Sequence, residues 1–90
     1  MTTPLDGTWR VIRTGGLLPP LIGIRKHIRG DRGETRIGLL PGLPFRVHDL
    51  ELHYRGPLSG FVDKLKPDQD GFRGLALLHG REYGRFILRR

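Results

Sequence analysis

Short apolar runs alternate with polar residues along most of the chain, and glycine or proline separates one run from the next. Alternation with a period of two is typical of β-strands, and no useful length of the chain has the period of an amphipathic helix. The pattern predicts seven strands, at residues 8–14, 21–29, 34–40, 45–55, 58–66, 72–79 and 82–89. The predicted fold is all-β: a single domain over residues 1–90, formed by one small antiparallel, strongly curved sheet or a shortened β-barrel.

Two charged residues interrupt apolar faces of the predicted strands. Lys26 lies on the same face as Ile24 and Ile28, and Asp63 lies between Phe61 and Leu65 on one face of its strand. A charge on an apolar face is paired, lies at a barrel mouth, or contacts a ligand in a pocket. The alternative is that the stem of Lys26 reaches the rim and that Asp63 faces solvent while its neighbour points inward.

Two further irregularities concern the later strands. Within residues 45–55 the apolar side chains occupy odd-numbered positions before His48-Asp49 and even-numbered positions after it. Such a change of parity indicates a bulge or a bend. Residues 72–79 and 82–89 are apolar on both faces, so both faces must be covered. Either the loop at residues 17–20 or a second subunit covers the outer face, and on this basis we expect a homodimer.

The net charge of +7 invites an interpretation as a nucleic-acid or acidic-membrane binder. The basic residues are mostly arginine and the chain contains no asparagine, a composition that GC-rich codons also produce. We therefore expect nucleic acid to bind only weakly and non-specifically. The chain has no cysteine, shows no signal peptide and has no apolar run long enough to span a membrane, so a cytoplasmic location is expected.

Motifs for catalysis or cofactor binding are not evident. The single serine, Ser59, is not in a nucleophile elbow, and no glycine-rich loop has the pattern that binds phosphate. Asp49, Glu51 and His53 alternate as metal ligands could, but they lie opposite an apolar face and are better explained as its solvent side. No catalytic residue, metal ion or cofactor is predicted.

The function that the pattern favours is the non-catalytic binding of an apolar or lipid-like small molecule inside the barrel. The candidate ligand-binding residues are Lys26, Phe61, Asp63, Tyr54 and Trp9. Small residues on the strands would leave interior room: Gly38, Gly60, Gly74 and Ala76. Two alternatives stay open: a basic nucleic-acid-binding module of the OB type, and a small enzyme that uses Lys26 and Asp63 as an acid–base pair.

The opening Gly7-Thr8-Trp9, preceded by Leu5-Asp6, resembles the Gly-x-Trp opening of lipocalins and the wider calycin barrels. The resemblance implies a barrel whose closed end holds the tryptophan, with an arginine from the last strand packed across the ring. In this sequence that arginine would be Arg85 or Arg89. Lipocalins are much longer, so the resemblance implies a shortened barrel or half of one completed by dimerisation.

Overall fold

A computed structural model describes residues 4–16 and 23–90, and within them eight antiparallel strands form a closed barrel. Each strand pairs with its neighbours in sequence, and the first strand pairs with the last. A short 3-10 turn, Gly56–Leu58, connects the fifth and sixth strands. The strands are β1 (Gly7–Gly16), β2 (Ile24–Arg29), β3 (Arg32–Ile37), β4 (Leu43–His48), β5 (Glu51–Tyr54), β6 (Phe61–Asp68), β7 (Gly71–Leu78) and β8 (Arg81–Arg89).

The predicted all-β antiparallel fold is confirmed, with an eighth strand where the sequence pattern suggested a bend. The predicted fourth strand is two strands, β4 and β5, joined by a tight turn at Asp49-Leu50. Asp49 has a φ of 55°, the left-handed conformation that aspartate tolerates better than most residues. This hairpin turn explains the change of parity near His48-Asp49, because the chain reverses there.

One end of the barrel, here called the closed end, is filled by apolar side chains around Trp9. The Trp9 ring is buried, packs edge-on against Phe72 at 5.4 Å, and donates its indole N–H to the backbone oxygen of Leu5 at 2.8 Å. Leu5 is also buried and lies just before β1, so the segment that enters the barrel seals its base. The prediction that Trp9 is buried at one end of the sheet is confirmed.

The arginine over Trp9 is Arg90, and not Arg85 or Arg89 as the resemblance implied. The Arg90 guanidinium carbon lies 4.1 Å from the Trp9 ring centroid. Its nitrogens donate to the backbone oxygens of Asp6 and Pro4, at 3.1 and 3.4 Å. Alternation along β8 explains the difference: Phe86 and Leu88 are buried, whereas Arg85 bonds to Glu82 and Arg89 pairs with Asp68. Arg90 follows the last strand residue and can therefore fold back across the base.

The glycines predicted to leave interior space have other roles. A side chain at Gly74 would collide with the Phe86 ring, and one at Gly60 would collide with the imidazole of His79. Gly38 lies in the turn after β3 with a φ of 56°. Aromatic rings therefore occupy the volume beside Gly74 and Gly60, and of the four small residues only Ala76 lines the cavity described below.

The outer surface of β7 and β8 remains partly apolar. Leu75 on β7 is exposed on this surface, as is Ile12 on β1, whose cross-strand neighbour on β8 is the half-buried Ile87. Leu78 is also exposed, but it pairs with Phe61 and lies at the rim of the barrel. The loop at residues 17–20, predicted as one possible cover, lies outside the described residues. Within residues 4–16 and 23–90 no helix is long and apolar enough to cross a membrane.

Candidate functional site

A cavity of about 230 Å³ lies inside the barrel at the end opposite Trp9, here called the open end. β2 begins there at Ile24, β3 ends at Ile37 and β4 begins at Leu43, and all three side chains line the cavity. Inward-facing residues from deeper in the barrel form its floor: Val11, Lys26, Thr35, Tyr54, Asp63, Ala76 and Phe86. The cavity thus has an apolar mouth and a floor that contains buried polar groups.

Lys26 and Asp63 form an ion pair across the barrel interior. The Lys26 Nζ lies 3.1 Å from Asp63 Oδ2, and the two side chains are 4% and 7% exposed. Their strands, β2 and β6, are four strands apart in a ring of eight, so the two residues face each other across the lumen. Of the possibilities that the sequence left open, the structure shows a buried pair: the Lys26 ammonium does not reach the rim, and Asp63 does not face solvent.

Two hydroxyl groups complete the polar floor. Lys26 Nζ donates to Thr35 Oγ1 and to the Tyr54 hydroxyl, each at 2.7 Å, so its three N–H bonds have three oxygen partners. The Tyr54 hydroxyl lies 2.6 Å from Thr35 Oγ1 and donates to Asp63 Oδ2 at 3.3 Å. Three aromatic rings surround the same ammonium, with centroids 5.3–5.6 Å away: those of Phe45, Tyr54 and Phe86. The charge is held by hydrogen bonds, one carboxylate and ring faces.

The pKa values of this network favour the protonated lysine and the neutral tyrosine. Burial alone would lower the pKa of Lys26, but the charge of Asp63 and the interaction with Tyr54 outweigh burial and raise it. Burial raises the pKa of Tyr54, partly offset by the neighbouring Lys26 ammonium. At neutral pH the floor therefore carries an ammonium and its phenol partner, and its hydroxyl groups remain hydrogen-bond donors and acceptors.

The wall of the cavity is mainly aromatic and aliphatic. Phe61 and Tyr83 pack edge-to-face with ring centroids 5.8 Å apart, and Leu58 is brought to the mouth by the 3-10 turn before β6. Tyr83 faces the cavity because the pairing of β7 with β8 shifts register between Ala76 and Leu77. Burial and the nearby Asp63 raise the pKa of Tyr83, so its hydroxyl is neutral as well.

Four of the five predicted ligand-binding residues meet at this cavity: Lys26, Phe61, Asp63 and Tyr54. Trp9 does not line it and belongs to the core at the closed end. Sequence reasoning missed Thr35 and Tyr83. Thr35 could have been found from register, because the Gly30-Asp31 turn places it opposite Lys26, whereas the register shift that turns Tyr83 inward has no signal in the alternation of residues.

The outward-facing carboxylate and imidazole groups of β5 bond to each other. His53 Nε2 lies 2.9 Å from Glu51 Oε1, and Lys64 pairs with the other oxygen of that carboxylate at 3.8 Å. No group of three metal-ligating side chains occurs in the part of the chain that the structure describes.

No protein-family model matches the chain, and neither does any curated protein or any solved structure. The part of the predicted resemblance that the structure shows is a small closed antiparallel barrel, here with a tryptophan buried near the start of β1. The function must therefore be argued from the cavity and from the surface of this barrel.

Proposed function

We propose that this barrel binds a small, mostly apolar molecule in the open-end cavity, without catalysing a reaction. The observation that carries the proposal is the cavity itself, with apolar walls above a buried polar floor. Eight-stranded barrels are just wide enough either to be filled by side chains or to hold one small ligand. In this barrel side chains fill the closed end, and the open end has space for one small ligand. The lipocalin-like opening at Gly7-Thr8-Trp9 agrees with the same class of function.

The size of the cavity limits the ligand. At about 230 Å³ it lies below the range of roughly 300–1,000 Å³ that is typical of sites for drug-sized molecules. A ligand of about ten non-hydrogen atoms would fill it, given the roughly 30 Å³ that one water occupies in the liquid and the closer spacing of bonded atoms. A short-chain or single-ring compound fits this description, and a long acyl chain would extend out of the mouth.

The floor favours one hydrogen-bond donor on the ligand. Lys26 and Tyr54 both use Oδ2 of Asp63, and no described residue donates to its other oxygen, Oδ1. A carboxylate oxygen accepts hydrogen bonds, so a ligand hydroxyl or amine directed at the floor would be bound through Oδ1. A ligand carboxylate would instead meet a like charge. We therefore expect the preferred ligand to be an alcohol, a phenol or an amine.

Titration of the 15N-labelled protein with 1-heptanol and with heptanoate, followed by NMR, tests the proposal. We expect heptanol to shift the amide signals of cavity residues such as Ala76 and Phe86. We also expect it to bind at least about tenfold more tightly than heptanoate, because one buried polar group left without a hydrogen-bond partner costs about that much in affinity. Native mass spectrometry of the freshly purified protein would show whether a molecule of this size is retained.

Two variants separate cavity binding from surface binding. Ala76→Leu fills the cavity from β7 and should abolish the heptanol shifts, whereas Val62→Leu enlarges an outward side chain on β6 and should leave them unchanged. If Ala76→Leu does not fold, Ile24→Phe narrows the mouth instead. Shifts that persist in a folded, filled variant, or that spread over the outer strands, would contradict the proposal.

The homodimer stays a prediction. The exposed Ile12 and Leu75 support it, because they lie on the outer face of β1 and β7, on the side where the sequence pattern placed the interface. Sedimentation equilibrium at tens of micromolar, a concentration at which common interface affinities produce association, distinguishes a dimer from a 10.2 kDa monomer.

A further inference from the structure

The outer face of β1–β4 carries two rows of arginine side chains in direct cross-strand register. The first arginine row consists of Arg10, Arg25 and Arg36, on β1, β2 and β3. The second arginine row consists of Arg29, Arg32 and Arg46, on β2, β3 and β4. All six are exposed. The rows are a property of the folded barrel, since their members are separated in sequence and are brought side by side only by the strand register.

Such an arrangement opposes folding unless something neutralises it. Like charges directly opposite each other on neighbouring strands are destabilising, because their side chains start only about 5 Å apart. Two carboxylates relieve the rows in part: Glu34 pairs with Arg36 at 3.2 Å, and Asp31 pairs with Arg32 at 3.6 Å. Arg10 donates to the main-chain oxygen of Arg90 at 3.4 Å. Among the described residues, no acidic side chain pairs with the other four members: Arg10, Arg25, Arg29 and Arg46.

The spacing of the rows suits a ligand with repeated negative charges. Neighbours within a row are one strand apart, about 4.8 Å, and the two rows are four residues apart along β2, about 13 Å. Between and beside them runs a surface groove of about 730 Å³, which the second arginine row and Arg55 line together with Thr8, His27 and two acidic residues, Asp6 and Glu34. The basic side chains of the groove outnumber the acidic ones four to two. A single phosphate could use only one part of this surface, whereas a chain of phosphates could contact both rows.

The uncharged side chains of this face indicate how such a ligand would be recognised. No Phe, Tyr or Trp projects outward from the described parts of β1–β4, because the aromatic residues there, Trp9 and Phe45, are buried in the core. Single-stranded nucleic acid is usually bound by stacking bases on exposed aromatic rings, and that platform is missing from this face. Contacts to phosphate position a nucleic acid but do not read its sequence.

We propose that the outer face of β1–β4 binds the phosphate backbone of double-stranded nucleic acid, independently of base sequence. The two arginine rows supply the positive charge, and the phosphates relieve the repulsion within each row. This surface lies outside the barrel, so its occupancy does not depend on the cavity or on the ligand proposed above. It also accounts for the arginine-rich composition by position on the fold, which codon bias alone does not.

Fluorescence anisotropy with a fluorescein-labelled 20-base-pair DNA duplex tests the proposal. The test variant combines Arg25→Gln, Arg29→Gln and Arg46→Gln. The matched control combines Lys64→Gln, Lys66→Gln and Arg73→Gln. It also removes three positive charges, but from the outer face of β6 and β7. We expect the test variant to bind at least about tenfold more weakly at 50 mM salt, and the slope of log K against log salt to become shallower by about 2 to 3, since each lost phosphate contact contributes about 0.9.

The control variant and a second duplex of unrelated sequence define the other outcomes. We expect the control to lose less than about threefold and the two duplexes to bind equally, because phosphate contacts do not depend on sequence. Equal losses in both variants would show that only net charge matters and would overturn the proposal. Preference of the wild type for vesicles of phosphatidylcholine and phosphatidylglycerol over the duplex would assign the surface to anionic lipid instead.

Thermal unfolding of the same variants provides a readout without ligand. Removing like charges from the rows should leave the melting temperature unchanged or raise it, because the repulsion between cross-strand neighbours is relieved. If the triple variant does not fold, Arg46→Gln alone serves as the binding test. Arg25→Gln alone is measured beside it. If both single variants fold and both bind the duplex as tightly as the wild type, the proposal is also overturned.

Discussion

At Lys26 a charged group is kept inside a small barrel because every one of its N–H bonds has an oxygen partner. The ammonium is shielded from solvent by Phe45, Tyr54 and Phe86 and depends on one carboxylate, that of Asp63, for neutralisation. Removing water from two charges is costly, and the attraction between them in the interior only approximately offsets that cost. The pair therefore constrains which side chains can face each other, and its contribution to net stability is small.

Removing one partner of this pair should be far more damaging than removing both. We expect Lys26→Met to lower the free energy of unfolding by about 3–5 kcal/mol, because it leaves Asp63 buried without its counter-charge. The double variant Lys26→Met/Asp63→Leu should lie within about 2 kcal/mol of the wild type, since it removes both charges. Urea unfolding of the single and double variants measures the coupling. Additive losses would show that the two groups do not depend on each other.

The stability of the barrel should fall at alkaline pH. The folded-state pKa values of Lys26 and Tyr54 are both raised, so above about pH 10 the unfolded chain releases protons that the barrel still holds. Their contribution is therefore fully present below that pH and is lost as the pH rises through the folded-state values. Urea unfolding between about pH 8 and 12, a range that brackets the ordinary pKa values of lysine and tyrosine, should show this decline. A variant with Lys26→Met, Asp63→Leu and Tyr54→Phe should decline less steeply. An identical slope in that variant would contradict the role of the network.

At the closed end, the contribution of the stacked pair Trp9 and Arg90 to stability can be tested by substitution. Trp9→Ala should cost about 3–5 kcal/mol through the cavity left in the core. Arg90→Ala should cost about 1 kcal/mol, because the guanidinium is exposed and stacks on one ring face. Arg85→Ala is the control, and it should leave the unfolding midpoint unchanged, because that side chain is exposed and pairs with Glu82 on the surface. A loss in the control equal to that of Arg90→Ala would contradict the assignment.

Among the elements, the β4–β5 hairpin decides how many strands the barrel has. Its turn requires Asp49 in the left-handed region, where a β-branched residue is strained by about 1–2 kcal/mol and glycine is not. We therefore expect Asp49→Val to destabilise the barrel by about that amount and Asp49→Gly to be neutral or slightly stabilising. Thermal unfolding of the two variants compares them directly, and equal melting temperatures would show that the turn is not strained.

Much of the element order could be predicted from local signals. The glycine-containing turns after β2, β6 and β7 lie where the sequence placed them, because positive φ or a tight reversal selects residues such as Gly30 and Gly80. The alternation also identified Lys26 and Asp63 as unusual. It could not show that they face each other, because that depends on the number of strands and their stagger around the closed ring. The sequence likewise showed an excess of arginine but not the arginine rows, because strand register is what places their members side by side.

For the whole molecule, closure is the main constraint. β8 pairs with both β7 and β1, so the last strand completes the ring and leaves no sheet edge among the described strands. Removing it would expose two edges and open the core around Phe86 and Leu88. We expect a chain that ends at Gly80 to show no cooperative unfolding transition by circular dichroism. A cooperative transition in that truncated chain would show that seven strands suffice.

The ion pair across the lumen also divides the interior into two regions with different tolerance for change. Below it, Trp9, Phe72 and Leu88 are tightly packed, and substitutions there act on folding. Above it, the exposed Ile37 and the half-buried Leu58 border the cavity. We therefore expect residues of the closed end to act on stability, residues of the mouth to act on the proposed binding, and the Lys26–Asp63 pair to affect both. A barrel organised in this way is a suitable scaffold for redesign, because its upper region can be altered to accept new small molecules while the lower region keeps the chain folded.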